Sequence, residues 1–147
     1  MNSNPPRILL VDDHQDTLDL FAIALSQQDY EVVTASTIDG ALQETKDQQF
    51  HLVILDSWVG DGSGVDLCRS IRKLDRLTPI VFCSGLTAEK NRQEALDAGA
   101  QGYLIKPVSI ADLYATVKDW TSISSRGGDG ANTVVRKTSG DLIGAAS

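Results

Sequence analysis

Five short apolar runs constrain this chain more than any other feature: ILLV (8–11), EVVTA (31–35), LVIL (52–55), PIVFCS (79–84) and GYLIK (102–106). They are rich in Val and Ile, and apolar at successive rather than alternate positions. Strands buried on both faces of a parallel sheet read this way. Parallel neighbours need long crossovers, and helical patterns fill the gaps. Leu18, Phe21, Ala22 and Leu25 lie at i, i+3, i+4 and i+7, the apolar stripe of one helix. Ile38, Ala41 and Leu42 begin a second, and Leu67, Cys68, Ile71 and Leu74 mark a third. Ala95, Leu96 and Ala98 close a fourth that Gly99 ends as a left-handed cap. Ile110, Leu113, Val117 and Trp120 mark the fifth, opened by Ser109 with Asp112 in a capping-box pattern. Strand and helix alternating five times predict an α/β fold, a doubly wound (βα)5 parallel sheet of order 2-1-3-4-5.

The expected domain is residues 7–121, with a short N-terminal extension over 1–6. From 122 to 147 periodicity fails and glycines gather at 127, 128, 130, 140 and 144. That composition predicts a flexible tail, with TVVRK (133–137) its one strand-like stretch.

Polar residues stand where these strands end. The first run ends in Asp12 and Asp13, the third in Asp56, the fourth in Ser84 and the fifth in Lys106. Ligands of open parallel sheets bind outside the carboxyl ends of the strands, where strand order reverses. Order 2-1-3 makes the first and third strands neighbours, so three carboxylates converge there. Such a cluster calls for a cation, and an all-oxygen set suits Mg2+ or Mn2+. Taken singly, Asp12 and Asp13 could cap a helix, Asp56 could sit in a turn and Lys106 could be a solvated strand end. Their joint placement on one rim favours a site.

Composition narrows the partners. The net charge of −7 opposes autonomous binding to nucleic acid. No run approaches the length of a membrane span, and the N-terminal stretch lacks the pattern of a secretory signal. A cytoplasmic protein with no membrane partner is expected. Cys68 and Cys83 lack metal-ligand spacing and read as reduced and packed. His14 and His51 read as too scattered to form a metal cluster.

The ordered motifs ILLVDDH, LVILDSWVGDGSG, IVFCSG and ALDAGAQGYLIKP resemble the receiver domain of two-component response regulators, with a flavodoxin-like fold. Gly64, eight positions after Asp56, matches the family pattern, as does the spacing from Ser84 to Lys106. The resemblance implies that Asp56 is a phosphoryl acceptor. It implies that Asp13, Asp56 and the Trp58 backbone carbonyl ligate Mg2+ directly, and that Asp12 does so through water. Lys106 and Ser84 would contact phosphoryl oxygens, and Lys106–Pro107 would be a cis peptide. Tyr103 would turn inward in a switch that remodels the surface of the fourth helix, fifth strand and fifth helix. Trp58 and Leu86 occupy positions that tune access of water to the acyl phosphate.

The implied role is phosphoryl acceptance with slow self-dephosphorylation rather than turnover of a substrate. The implied partners are a sensor histidine kinase or histidine phosphotransfer protein, a downstream protein target, and a phosphorylation-dependent homodimer. Val59 and Gly60 stand where the family often has a bulky aliphatic residue and proline, and Asp61 adds a charge beside the site. Three other readings share parts of the pattern. An FMN protein of this fold would need hydroxyl and amide donors where DDHQD stands. A phosphatase with an aspartyl nucleophile would need an acid at Trp58. The third is a receiver-like scaffold that is never phosphorylated. Separately, the chain could be a receiver cut from a larger regulator.

Overall fold

The computed structural model describes residues 4–125, 134–136 and 142–144. Residues 1–3 of the N-terminal extension, and the tail residues outside these ranges, lie outside the described residues. The order is β1 (Arg7–Val11), α1 (Gln15–Ser26), β2 (Glu31–Ala35), α2 (Ile38–Asp47), β3 (Leu52–Leu55), β4 (Trp58–Val59), β5 (Gly62–Ser63), α3 (Gly64–Leu74), β6 (Ile80–Ser84), α4 (Glu89–Asp97), β7 (Gly102–Ile105), α5 (Ile110–Ser125), β8 (Val134–Arg136) and β9 (Leu142–Gly144). The main sheet runs β2-β1-β3-β6-β7-β8-β9, and β4 and β5 form a separate pair. Its first five strands pair in parallel and reproduce the doubly wound order expected from the sequence.

The continuous apolar runs have a direct cause, because successive side chains enter opposite cores. Leu9, Val11, Val53, Leu55, Phe82 and Tyr103 face one core, closed by Ala41 of α2, Leu67 and Ile71 of α3, and Ala95 of α4. Ile8, Leu10, Leu52, Ile54, Val81 and Leu104 face the other, closed by Leu18, Phe21 and Leu25 of α1 and Leu113, Val117 and Trp120 of α5. Full burial of each such side chain contributes roughly 1.5–3 kcal/mol. Cys68 and Cys83 are free and buried, and burial pushes their thiols up to about 11 and about 12.

Helix ends follow local chemistry. Thr37, Ser63 and Ser109 accept from the backbone N–H of Gly40, Asp66 and Asp112 at the starts of α2, α3 and α5. Gly99 follows α4 with φ +116°. The turn from α3 to β6 is built on Asp75, whose carboxylate accepts from the N–H groups of Leu77 and Thr78 and from the Thr78 hydroxyl.

One expectation changes. Leu74, placed on the apolar stripe of the third helix, is 58% exposed, because it is the last residue of α3 and lies beyond the last turn that packs. The stretch expected to be a flexible tail is described only at 122–125, 134–136 and 142–144. α5 continues to Ser125, and β8 and β9 extend the sheet beyond β7, whose outer edge otherwise presents unpaired backbone groups.

Among the described residues no helix is long and apolar enough to cross a membrane.

Candidate functional site

Register builds the site. Val11 pairs with Ala35 and Leu55, and Leu55 with Phe82. The residues just past these pairs therefore emerge together. The N–H of Asp56 donates to the Val11 carbonyl at 3.1 Å, and that of Asp12 to the Ala35 carbonyl at 3.2 Å. One strand further, the N–H of Lys106 donates to the Ser84 carbonyl at 2.9 Å. Four sequence-expected residues are thus fixed at strand ends by main-chain bonds, before any side-chain contact is counted.

The side chains then converge. Lys106 Nζ donates to Asp12 Oδ2 and to Asp56 Oδ2, both at 2.9 Å. Burial disfavours its ammonium, but the hydrogen bonds to Asp12 and Asp56, and their charges, hold its pKa well above the usual lysine value. The remaining oxygens are held by backbone donors. Asp12 Oδ1 accepts from the His14 N–H at 2.9 Å, and Asp56 Oδ1 from the Ser57 N–H at 2.7 Å. Lys106–Pro107 is cis.

Asp13 takes a different partner, accepting from the N–H of Gly60 at 2.9 Å. That hydrogen bond is the main reason its carboxyl lies below the usual carboxylate range. Gly60 and Asp61 join β4 to β5, with Val59 opposite Gly62 and Trp58 opposite Ser63. Gly60 has φ +60° at the first position of a two-residue turn, the place glycine takes in a type II′ hairpin. The replacement of the family's usual residues at 59 and 60 therefore has a structural reason, and Asp61 is the exposed second turn residue. Hydrogen-bonded and non-hydrogen-bonded pairs alternate in such a ladder. Gly64 N–H donates to the Ser57 carbonyl at 2.7 Å, so the Trp58–Ser63 pair between that bond and the turn is non-hydrogen-bonded. The Trp58 carbonyl is consequently not used by the hairpin.

Oxygen donors from Asp12 and Asp13, which lie within 4.8 Å of one another, fit a hard divalent cation, whereas Asp56 is tied to Lys106 and stands outside that cluster. The structure also brings in a residue that sequence reading set aside. His14 offers a ring nitrogen within 4.8 Å of ligand atoms of Asp12 and Asp13, with Nδ1 3.8 Å and 3.7 Å from their Oδ1 atoms. Direct adjacency to the acid pair was the available signal.

Ser84 and Tyr103 are linked through one residue. Ser84 Oγ accepts from the Leu86 N–H at 3.1 Å, and the Tyr103 hydroxyl donates to the Leu86 carbonyl at 2.8 Å. Tyr103 is 2% exposed and stacks on Phe82 with ring centroids 6.1 Å apart. The inward position is thus occupied in this structure. Trp58 and Leu86 line one pocket of about 260 Å³ together with Ser57, Asp66 and Arg69.

Comparison with known proteins gives a consistent result. Residues 8–118 match the response regulator receiver domain family. The chain is 37% identical over 112 residues to the nisin biosynthesis regulatory protein NisR of Lactococcus lactis subsp. lactis, covering 76% of this chain and 48% of that protein. It is 33% identical to the transcriptional regulatory protein KdpE of Mycobacterium tuberculosis, covering 76% of this chain and 49% of that one. The chain therefore spans about half the length of these curated relatives. Among solved structures, a CheY-like response regulator receiver domain protein from Methanospirillum hungatei JF-1 superposes with TM-score 0.81 at 30% identity, covering 85% of this chain and all of that one.

Proposed function

Because the chain belongs to the response regulator receiver domain family, we propose that it is the phosphoryl-accepting module of a two-component or phosphorelay system, with Asp56 as acceptor. The observation that carries this reading is the Lys106 ammonium 2.9 Å from both Asp12 and Asp56. A cation fixed beside the acceptor suits a transferring phosphoryl group, whose transition state needs positioning and charge neutralisation more than covalent help.

In the proposed step an Asp56 oxygen attacks the phosphorus of a phosphohistidine on a kinase or phosphotransfer protein. The new O–P bond forms, the P–N bond breaks, and the imidazole leaves. Asp12, Asp13, Asp56 and the Trp58 carbonyl would hold Mg2+ or Mn2+, which when bound neutralises charge on the phosphoryl oxygens. Lys106 shifts from carboxylate to phosphoryl oxygen, and Ser84 supplies a hydroxyl hydrogen bond. The Leu86 backbone, through its N–H and its carbonyl, carries that change to Tyr103, and so to the surface formed by α4, β7 and α5, where a protein partner or a second copy reads it. With a net charge of −7, this module works through protein contacts rather than by binding nucleic acid itself.

The test is intact mass after incubation with acetyl phosphate and Mg2+. A single phosphoryl adduct is expected, absent in Asp56→Asn and without divalent cation. No adduct from any small donor or phosphohistidine partner would instead favour a non-phosphorylated scaffold.

The adduct is expected to be long-lived. Trp58 and Leu86 border the same pocket, and two large apolar side chains there obstruct water. Loss of adduct should take minutes or longer, and Trp58→Ala together with Leu86→Ala should shorten it severalfold. Decay within seconds in the unsubstituted protein would refute this assignment.

A further inference from the structure

The sheet continues past the strand that carries Tyr103. β8 runs parallel to β7, with Gly102, Tyr103 and Leu104 in register with Val134, Val135 and Arg136. β9 pairs with β8 in the antiparallel sense. We propose that the outer edge of β7 is a strand-accepting surface whose occupant is this chain's own β8–β9 pair, docked reversibly and coupled through Tyr103 to the state of Asp56. The coupling rests on Asp56 being the phosphoryl acceptor; the docking does not.

Three observations carry the inference. The contact is short, three registered positions on each side of β8. A two-stranded ribbon is marginal alone, so its order depends on the edge it joins. Such a contact has a closely balanced open state.

The second observation lies on α5. Asp112 and Thr116 are 7% and 1% exposed, yet Asp112 Oδ2 and the Thr116 hydroxyl have no hydrogen-bond partner. Tyr114 donates to the Ala24 carbonyl of α1, which fixes the side of α5 that faces α1. At about 100° per residue, Asp112 and Thr116 lie on the side away from it. α1 packs on β1 and β2, so that far side is the one on which β7 and β8 lie. Polar oxygens buried there without partners favour exposure to water. An open state that admits water to this side of α5 would hydrate them, which lowers the cost of undocking.

The third observation is the register itself. Val135 sits directly beside Tyr103, which is held inward on Phe82. With Val135 in register beside Tyr103, the docked ribbon closes the sheet edge next to that side chain. Docked strands therefore favour the inward position, and by reciprocity whatever holds Tyr103 inward favours docking.

Amide hydrogen exchange of the full chain, with and without acetyl phosphate and Mg2+, tests this against Val135→Pro, which removes a backbone donor from β8. Protection is expected at 134–136 and 102–105, rising severalfold on phosphorylation and independent of protein concentration. Val135→Pro should lose it at 134–136 and at the β7 amides that face β8, while the β7 amides bonded to β6 and those of β1 and β3 keep theirs. Equal, unprotected exchange at 134–136 in both proteins would overturn the docking. Protection that grows with concentration would overturn docking within one chain in favour of a strand from a second copy. Protection unchanged by a confirmed adduct would overturn the coupling. If no adduct forms, the coupling falls with the reading of Asp56, and the Val135→Pro comparison alone decides the docking.

Discussion

Lys106→Met is expected to slow phosphoryl transfer to Asp56 by about 10²–10³-fold, the usual cost of removing one preorganised charge-stabilising donor, while strengthening binding of divalent cations. The two effects have one origin. Lys106 Nζ sits 2.9 Å from Asp12 Oδ2 and from Asp56 Oδ2, so it neutralises carboxylates that a metal would also use. Without the ammonium, two largely buried carboxylates face each other and attract a cation more strongly.

Stability should follow the same logic. Breaking a buried ion pair by removing one partner costs about 3–5 kcal/mol. The lysine side chain is 27% exposed, which places this case at or below the lower end, about 3 kcal/mol. Mg2+ should restore much of the loss by binding the folded state alone.

The pH dependence has a definite sign. The folded-state pKa of Lys106 is raised above its ordinary 10.5. Its contribution is therefore complete below that ordinary value and is lost only as pH rises through the higher folded one. The stability difference between Lys106→Met and the parent should be flat through neutral pH and shrink in strong alkali. Calorimetric Mg2+ titration, thermal unfolding and adduct formation measure the three effects. Unchanged metal affinity together with normal phosphorylation would mean that the Lys106 ion pairs are structural and take no part in metal binding or phosphoryl transfer.

How much of this was legible follows from which interactions are local in sequence. The five strands could be read because a doubly covered sheet leaves each strand no polar face, as Ile8 to Val11 and Leu52 to Leu55 illustrate. The rim residues could be read because strand order and strand ends follow from those runs. The β4–β5 hairpin could not, since two residues per strand carry no periodicity, and VGDG reads as a loop until Gly60 is seen donating to Asp13. The inward position of Tyr103 depends on the Leu86 carbonyl and the Phe82 ring, contacts set by tertiary packing. β8 and β9 lie in a glycine-containing stretch whose composition argues against order, and their partner strand is distant in sequence. Local propensity carries no record of an edge supplied by another part of the chain.

Gly64→Ala is the second large effect, and it separates a steric requirement from a merely preferred residue. A Cβ at Gly64 would lie 1.9 Å from the Asp56 carbonyl oxygen, and 3.0 Å from both the Asp56 carbonyl carbon and Leu55 Cδ1. The nearest obstacle is backbone, so no rotamer change relieves it. Either the first turn of α3 moves away, breaking the 2.7 Å bond from Gly64 N–H to the Ser57 carbonyl, or the end of β3 shifts and carries Asp56 with it. Overpacking a core typically costs about 1–3 kcal/mol, and a backbone collision belongs at the top of that range. The melting temperature should fall by roughly 10 °C. Adduct formation should drop by about 10²-fold even well below the melting point, because a displacement near 1 Å misaligns an acceptor by that factor. Gly85→Ala is the control. It follows Ser84 and meets nothing within 4 Å, so it should leave both measurements nearly unchanged. If Gly64→Ala melts within about 2 °C of the parent and still accepts a phosphoryl group at the parental rate, the entry to α3 is free to move, and the close approach at Gly64 does not hold Asp56 in place.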